Sequence, residues 1–142
     1  MGRAWFVDAS VILRAIINGS AAVENWFASA VGNGDSFYSS KMLDLEVRRV
    51  VRNNGADQSI ADDYLERFYF AKVTPEIIEQ AIQLPMPVGA ADALYVVTAR
   101  ELNIIPFTFV THDAQQARAA KAVGKFLVQD PVTDDPNRPP VT

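Results

Sequence analysis

Apolar positions along this chain fall into two kinds of stretch. Some are short unbroken runs of about four residues; others are longer, with apolar residues recurring every three or four positions. Short unbroken runs fit strands buried on both faces of a parallel sheet, and the three-four spacing fits amphipathic helices. Residues 4–7, AWFV, are the first unbroken run and lead directly into Asp8. A helical pattern starts within three residues, with Val11 to Ile17 apolar, Arg14 on one side and Asn18-Gly19 as the stop. Ser20 then reads as an N-cap, followed by Val23, Trp26, Phe27, Ala30 and Val31 at helical spacing and a Gly-Asn-Gly break at 32–34.

The alternation continues. SFYSS (36–40) is a strand, and Lys41 to Asn53 is a helix ended by Asn54-Gly55. Ser59 to Phe70, carrying Ile60, Tyr64, Leu65, Phe68 and Tyr69, predicts another helix, with a small strand over Ala71 to Thr74. Pro75 opens a helix to about Leu84, and Pro85-Met86-Pro87 forces an extended segment. Ala90 to Leu102 is the clearest helix of all. PFTFV, running from Pro106 to Thr111, is a second strongly apolar strand. Asp113 then resembles an N-cap with Gln116 at the third helical position, as in a capping box, and that helix runs to Gly124. Lys125 to Gln129 is the last strand. Strands alternating with helices predict an α/β fold of three layers, α/β/α, with a mostly parallel central sheet.

Composition narrows this picture. With 142 residues, 49% hydrophobic and 21% charged, the chain has enough apolar material for one ordinary domain. That domain is expected over residues 1–130. Residues 131–142, PVTDDPNRPPVT, hold four of the eight prolines and little to bury, and read as a flexible acidic tail. No cysteine and a single histidine exclude disulfides and make a zinc site of nitrogen and sulfur ligands very unfavourable. No apolar run approaches the roughly 20 residues of a membrane span, and the N-terminus lacks the form of a signal peptide, so a cytoplasmic protein is expected. Net charge is -4, of which the last thirteen residues contribute -2. A nucleic-acid partner would therefore need a local basic patch or a bound cation.

Four acids stand out against this frame. Asp8 and Asp113 each follow an apolar strand and precede a helix, which in a parallel sheet brings both to the carboxyl edge, where open α/β folds place ligands. Helix capping explains either one equally well. On a wheel of about 100° per residue, Glu46 falls in the arc of Met42, Leu43, Val47 and Val50, with Arg48, Arg49, Arg52 and Leu45 on the other side. A carboxylate on an apolar face must be paired, protonated or cation-bound, unless its stem lies on the core and its head reaches water. Asp92 sits in the first turn of its helix among Ala90, Ala91 and Ala93, where the helix dipole alone favours a negative charge. Four carboxylates gathered at one end of a sheet repel unless a cation neutralises them, and an all-oxygen donor set selects Mg2+ or Mn2+. Such a site suits phosphodiester cleavage.

The motifs VDASVILRAI, SSKMLDLEVRRVVR, AADALYVVTA and FVTHD, in this order over residues 4–130, resemble the PIN-domain nucleases, and among them the VapC-type ribonuclease toxins. DALYVVTA and the VT-x-D element are the most specific pieces. The resemblance implies that Asp8, Glu46, Asp92 and Asp113 form an acidic quartet binding Mg2+ or Mn2+ and supporting endonucleolytic RNA cleavage. It also implies an antitoxin protein that blocks the site, toxin homodimers, and supporting hydroxyls at Ser10 and Thr111. His112, Val96 and Val97 depart from the usual pattern without touching the acids.

Arg14, Arg48, Arg49, Arg52, Arg118 and Lys121 are candidates to hold an RNA backbone, although solvated helix faces explain most such residues. His112 beside the site reads first as structural. Trp26, Phe27, Phe68, Tyr69 and Phe70 read first as core, and otherwise as a face for an antitoxin segment or a second copy. Two other functions are weighed: a catalytically silent PIN-like module binding RNA or a partner, and another Mg2+-dependent phosphohydrolase. A haloacid-dehalogenase-type phosphatase would need a second Asp where Ser10 stands, and a receiver domain would need early paired acids and a late lysine after a strand.

Overall fold

Trp5, Phe6 and Val7 carry apolar side chains toward both faces of their strand, so β1 (Ala4–Val7) is stable only in the middle of a sheet with helices above and below. The computed structural model, which describes residues 2–102, 106–123 and 126–131, has it there. The other strands are β2 (Ser36–Ser40), β3 (Phe68–Ala71), β4 (Thr108–Val110) and β5 (Leu127–Gln129). All pair in parallel in the order β3-β2-β1-β4-β5. From β1 the chain moves outward through β2 to β3, then returns across the sheet to β4 on the other side of β1. The order therefore reverses between β1 and β4, the position at which parallel sheets open a crevice beyond their carboxyl ends.

Among the described residues seven helices form the outer layers: α1 (Ala9–Asn18), α2 (Ala21–Gly32), α3 (Lys41–Asn53), α4 (Gln58–Leu65), α5 (Pro75–Ile82), α6 (Ala90–Leu102) and α7 (Ala114–Val123). α1 packs against α2, α3 and α4; α6 packs against α5 and α7, giving the three-layer α/β/α arrangement. Helix starts are fixed chemically. Asp8, Ser20, Ser40, Asp57 and Thr74 each accept a hydrogen bond from the first turn that follows, and Gly19 closes α1 at a φ of 62°. The start of β1 is tied by Asp35, whose two carboxylate oxygens accept from the Arg3 amide and the Trp5 indole, both at 2.7 Å. Among the described residues no helix is long and apolar enough to cross a membrane.

The structure corrects several expectations. The helix predicted over Ser59 to Phe70 stops at Leu65, and Phe68–Ala71 is an edge strand paired with β2, Phe37 opposite Phe68. Leu65, Phe68 and Tyr69 keep helical spacing, but the backbone groups of β2 need a partner on this side, and Phe68 buried beside exposed Tyr69 is strand alternation. The strand expected over Ala71 to Thr74 therefore lies earlier, and Thr74 caps α5 instead. β4 and β5 are shorter than the apolar runs that announced them. Gly124 and Lys125 lie outside the described residues, as do 132–142 of the expected tail; Pro131 is buried.

Most of the aromatic excess belongs to the core. Phe27 stacks on Phe37 with ring centroids 4.5 Å apart and also meets Trp26, Tyr64 and Phe68. Tyr69 is the exception, 65% exposed on the sheet edge. Replacing Phe27 by Ala is expected to cost about 3–5 kcal/mol of stability, against less than about 1 kcal/mol for Tyr69→Ala. Urea denaturation midpoints of the two variants check this; equal costs would show that the aromatic group is not a single packed core.

Candidate active site

Asp8 follows the last residue of β1 and its side chain is 2% exposed. Its amide donates to Val110 O at 3.1 Å, which fixes it against the end of β4. One carboxylate oxygen accepts from the Ser10 amide at 3.1 Å and the Ser10 hydroxyl at 2.6 Å. The other accepts from the Thr111 hydroxyl at 2.5 Å. Each hydroxyl is itself held from β4's following turn: the His112 amide donates to Ser10 Oγ at 2.9 Å, and the Asp113 amide donates to Thr111 Oγ1 at 3.0 Å. Asp8 thus caps α1 and stitches the two turns at the point where strand order reverses. Capping and site membership are not alternatives here.

Burial is costly for this carboxylate despite its hydrogen bonds. Desolvation outweighs the help of Ser10 and Thr111, the Asp92 charge adds to it, and the Asp8 carboxyl is pushed up from 3.8 to about 7. Glu46, on α3, is also pushed up, by burial first and then by the Asp92 charge. Its Oε1 is buried with no hydrogen-bond partner among the described residues. Asp92, in the first turn of α6, is pushed up by burial and by the charge of Asp113. Asp113 is the exposed member and caps α7, its Oδ1 accepting from the Gln116 amide at 3.0 Å.

The capping box expected at Asp113 is only half formed. The Gln116 side chain does not reach back to Asp113; it donates to the backbone oxygen of Asp92 at 3.2 Å, joining α7 to the first turn of α6. Asp92 is consequently the hub: Asp8, Glu46 and Asp113 each interact with it electrostatically. The wheel placed Glu46 within the apolar arc, whereas the buried stripe of α3 is Leu43, Val47 and Val51, with Met42, Glu46 and Val50 half-buried along its flank. Glu46 therefore approaches the acids from the rim of the core.

The donor chemistry fits a hard divalent cation: oxygen ligands only, three of them carboxyls whose charged form the fold disfavours in the absence of a counter-charge, and one buried oxygen without a partner. The acids are coupled electrostatically in pairs, each with Asp92. Among the described residues no three acidic or histidine side chains stand close enough to hold an ion as a closed set.

The basic candidates separate into kinds. Arg48 is held by Asp44 at 2.8 Å and Asp62 at 2.6 Å. Arg49 and Arg52 are exposed and, with Lys41, Leu45 and Gln58, line an open groove of about 480 Å³. Arg14 and Lys121 are half-buried and Arg118 is exposed. His112 Nδ1 lies 3.0 Å from Asp130 Oδ2. Two participants escaped the sequence reading. Asp130 is marked only by following the last strand, and Tyr95, beside Glu46, only by standing three positions after Asp92 on α6.

A family model, described as PIN domain, matches residues 5–122. No curated protein matches the sequence. Among solved structures, VapBC2 from Rickettsia felis bound to a DNA fragment from its promoter aligns with a TM-score of 0.68 at 16% identity, over 89% of this chain and 98% of that one. A toxin–antitoxin complex from Klebsiella pneumoniae aligns with a TM-score of 0.60 at 13% identity, over 86% and 94%. PAE2754 from Pyrobaculum aerophilum aligns with a TM-score of 0.56 at 16% identity, over 92% of each chain. At these identities the likeness is one of fold.

The electrostatics make a pH prediction for metal-free protein. Asp8 holds its proton to about pH 7 in the fold but only to about 4 in the unfolded chain. Its contribution to stability is therefore fully present below about pH 4 and is lost as the pH rises to 7. In the presence of a chelator, melting temperature is expected to fall by on the order of 10 °C between pH 5 and pH 8, and Asp8→Asn to flatten that fall. Scanning calorimetry of both proteins reads it; parallel curves would dismiss the buried charge as the cause.

Proposed function

The chain belongs to the PIN-domain family, and from that premise we propose that it is a divalent-metal-dependent endoribonuclease acting as the toxin of a toxin–antitoxin pair. The observation that carries the reading is the coupling of Asp8, Glu46 and Asp113 through Asp92 at the switch point of the sheet. Asp8 and Asp92 would be the principal ligands of Mg2+ or Mn2+, with Glu46 and Asp113 completing the set directly or through water. When bound, such a cation supplies Lewis-acid stabilisation of a phosphate and a water of lowered pKa.

The chain's own residues prepare this. Ser10 donates twice to one oxygen of Asp8 and Thr111 once to the other, fixing the rotamer while leaving the Thr111-bonded oxygen a free acceptor position for a ligand. The carbonyl of Asp92, held by Gln116, sets the first turn of α6 against α7. Asp113, exposed, would be the acid most accessible to a substrate from solvent. Arg49, one helical turn after Glu46, and Arg52 would contact the RNA backbone; Arg48, engaged by two carboxylates, serves the fold. Phosphate contacts of this kind position the strand without specifying sequence.

The toxin reading draws on the likeness in fold to toxin–antitoxin complexes. An open groove of about 440 Å³, with Phe27, Val31, Ile60 and Tyr64 as its apolar part and Glu24, Asp63 and Arg67 charged, suits an amphipathic antitoxin segment. A cytoplasmic homodimer is the accompanying expectation, and Ile78 and Ile82 on α5 are among the exposed apolar side chains that could serve it.

Purified protein is expected to cleave single-stranded RNA with Mg2+ and to stop when chelator is added. Asp8→Asn and Asp92→Asn are each expected to lose more than about 100-fold, beyond what loss of a mere supporting contact costs at a metal site. Wild-type rates in both variants, or indifference to chelator, would remove the mechanism and leave a silent PIN module. The partner is tested separately: the product of a small gene adjacent to this one should co-purify and suppress cleavage, and an isolated gene would count against the toxin role.

A further inference from the structure

Tyr95 is 1% exposed and among the largest fully buried side chains. It lies on α6 one turn after Asp92, and a buried phenol normally finds a partner for its O–H. Tyr95 Oη has none of acceptable geometry among the described residues, and neither has Glu46 Oε1. The two unmet atoms belong to neighbouring groups. The Tyr95 hydroxyl favours the charged form of Glu46, while burial first, and then Glu46, Asp8 and Asp92, oppose ionisation of the phenol. Buried and neutral, Tyr95 remains a donor beside Glu46. Packing does not account for the hydroxyl, because a phenyl ring would fill the same space and leave no donor unmet.

We propose that Tyr95 is a positioning residue of the acid site, its buried O–H donating to the Glu46 carboxylate and holding that carboxylate toward Asp92. This rests on the reading of the acids as a cation site. Glu46 is the one acid delivered from the flank of a helix, with no capping role to fix its rotamer. Asp8 and Asp113 are oriented by the turns they cap, and Asp92 by its place in the first turn of α6. A donor on α6 supplies for Glu46 what local backbone supplies for the others. One carboxylate oxygen engaged by Tyr95 leaves the second for a ligand.

The test uses the full chain with Tyr95→Phe, Glu46→Leu, which removes the acceptor, and the double variant. In chelator, the melting-temperature changes of the single variants are expected to be non-additive by roughly 2 °C or more, with Tyr95→Phe neutral or stabilising in the Glu46→Leu background. In titration calorimetry with Mn2+, Tyr95→Phe is expected to bind about 10-fold more weakly than wild type while its far-UV spectrum is unchanged. Additive changes, or a Mn2+ affinity within about twofold of wild type, would overturn the inference. A wild-type protein that binds no Mn2+ would instead overturn the cation-site reading, and the cycle alone would then decide the Tyr95–Glu46 contact. Should Tyr95→Phe not fold, the same cycle run with Tyr95→Met decides it on the same terms.

Discussion

The carboxylate of Asp8 is buried and carries hydrogen bonds that span the chain: its two oxygens are bonded by residues 2 and 103 positions away. Through Ser10, Thr111 and the amides of His112 and Asp113, this one side chain locks the turn after β1 to the turn after β4. The two strands it joins are adjacent in the sheet but lie on opposite sides of the reversal in strand order. The placement of α1 and α7, and with α7 the first turn of α6, follows from that joint.

The cost of the joint is electrostatic. A fold selected only for stability would not place an acid at a fully buried strand end and then bring Asp92 and Glu46 toward it. All three are held in a state where the charged form is disfavoured, by burial more than by mutual repulsion. Regions of this kind are where function is commonly sited, because the energy released by a matching counter-charge is available for binding. Asp92 bears the coupling since it stands on the helix that lies against both other groups, in a first turn whose dipole offsets part of the penalty.

Much of the fold was legible along the chain. The unbroken run before Asp8, the Asn-Gly and Gly-Asn-Gly stops, and the Pro at the start of α5 mark element boundaries through local backbone preferences, which act the same in any tertiary setting. β3 was not legible. Leu65, Phe68 and Tyr69 read as one helical stripe, and only the unpaired outer edge of β2 turns Phe68 and its neighbours into a strand. Glu46 was placed correctly on a helix but too deep within the apolar arc, because the direction from which α3 meets the sheet is set by packing at Leu43, Val47 and Val51.

The site divides in the same way. Asp8, Asp92 and Asp113 stand at strand ends and helix starts, where sequence pattern alone assigns a position, and the parallel topology read from alternating strands and helices carries them to one edge. Tyr95 has no such mark, and Asp130, although it follows a strand, meets His112 only through contact between segments distant in the chain. The sequence by itself determined where the acids begin and end their elements, since capping and hydrophobic period are local. Only the tertiary structure decided that Asp92 is the hub, that Arg48 is held by two carboxylates while Arg49 is exposed, and that among the described residues the Tyr95 phenol has no hydrogen-bond partner. Those properties depend on distances across the fold and on exclusion of water, which no spacing along the chain encodes.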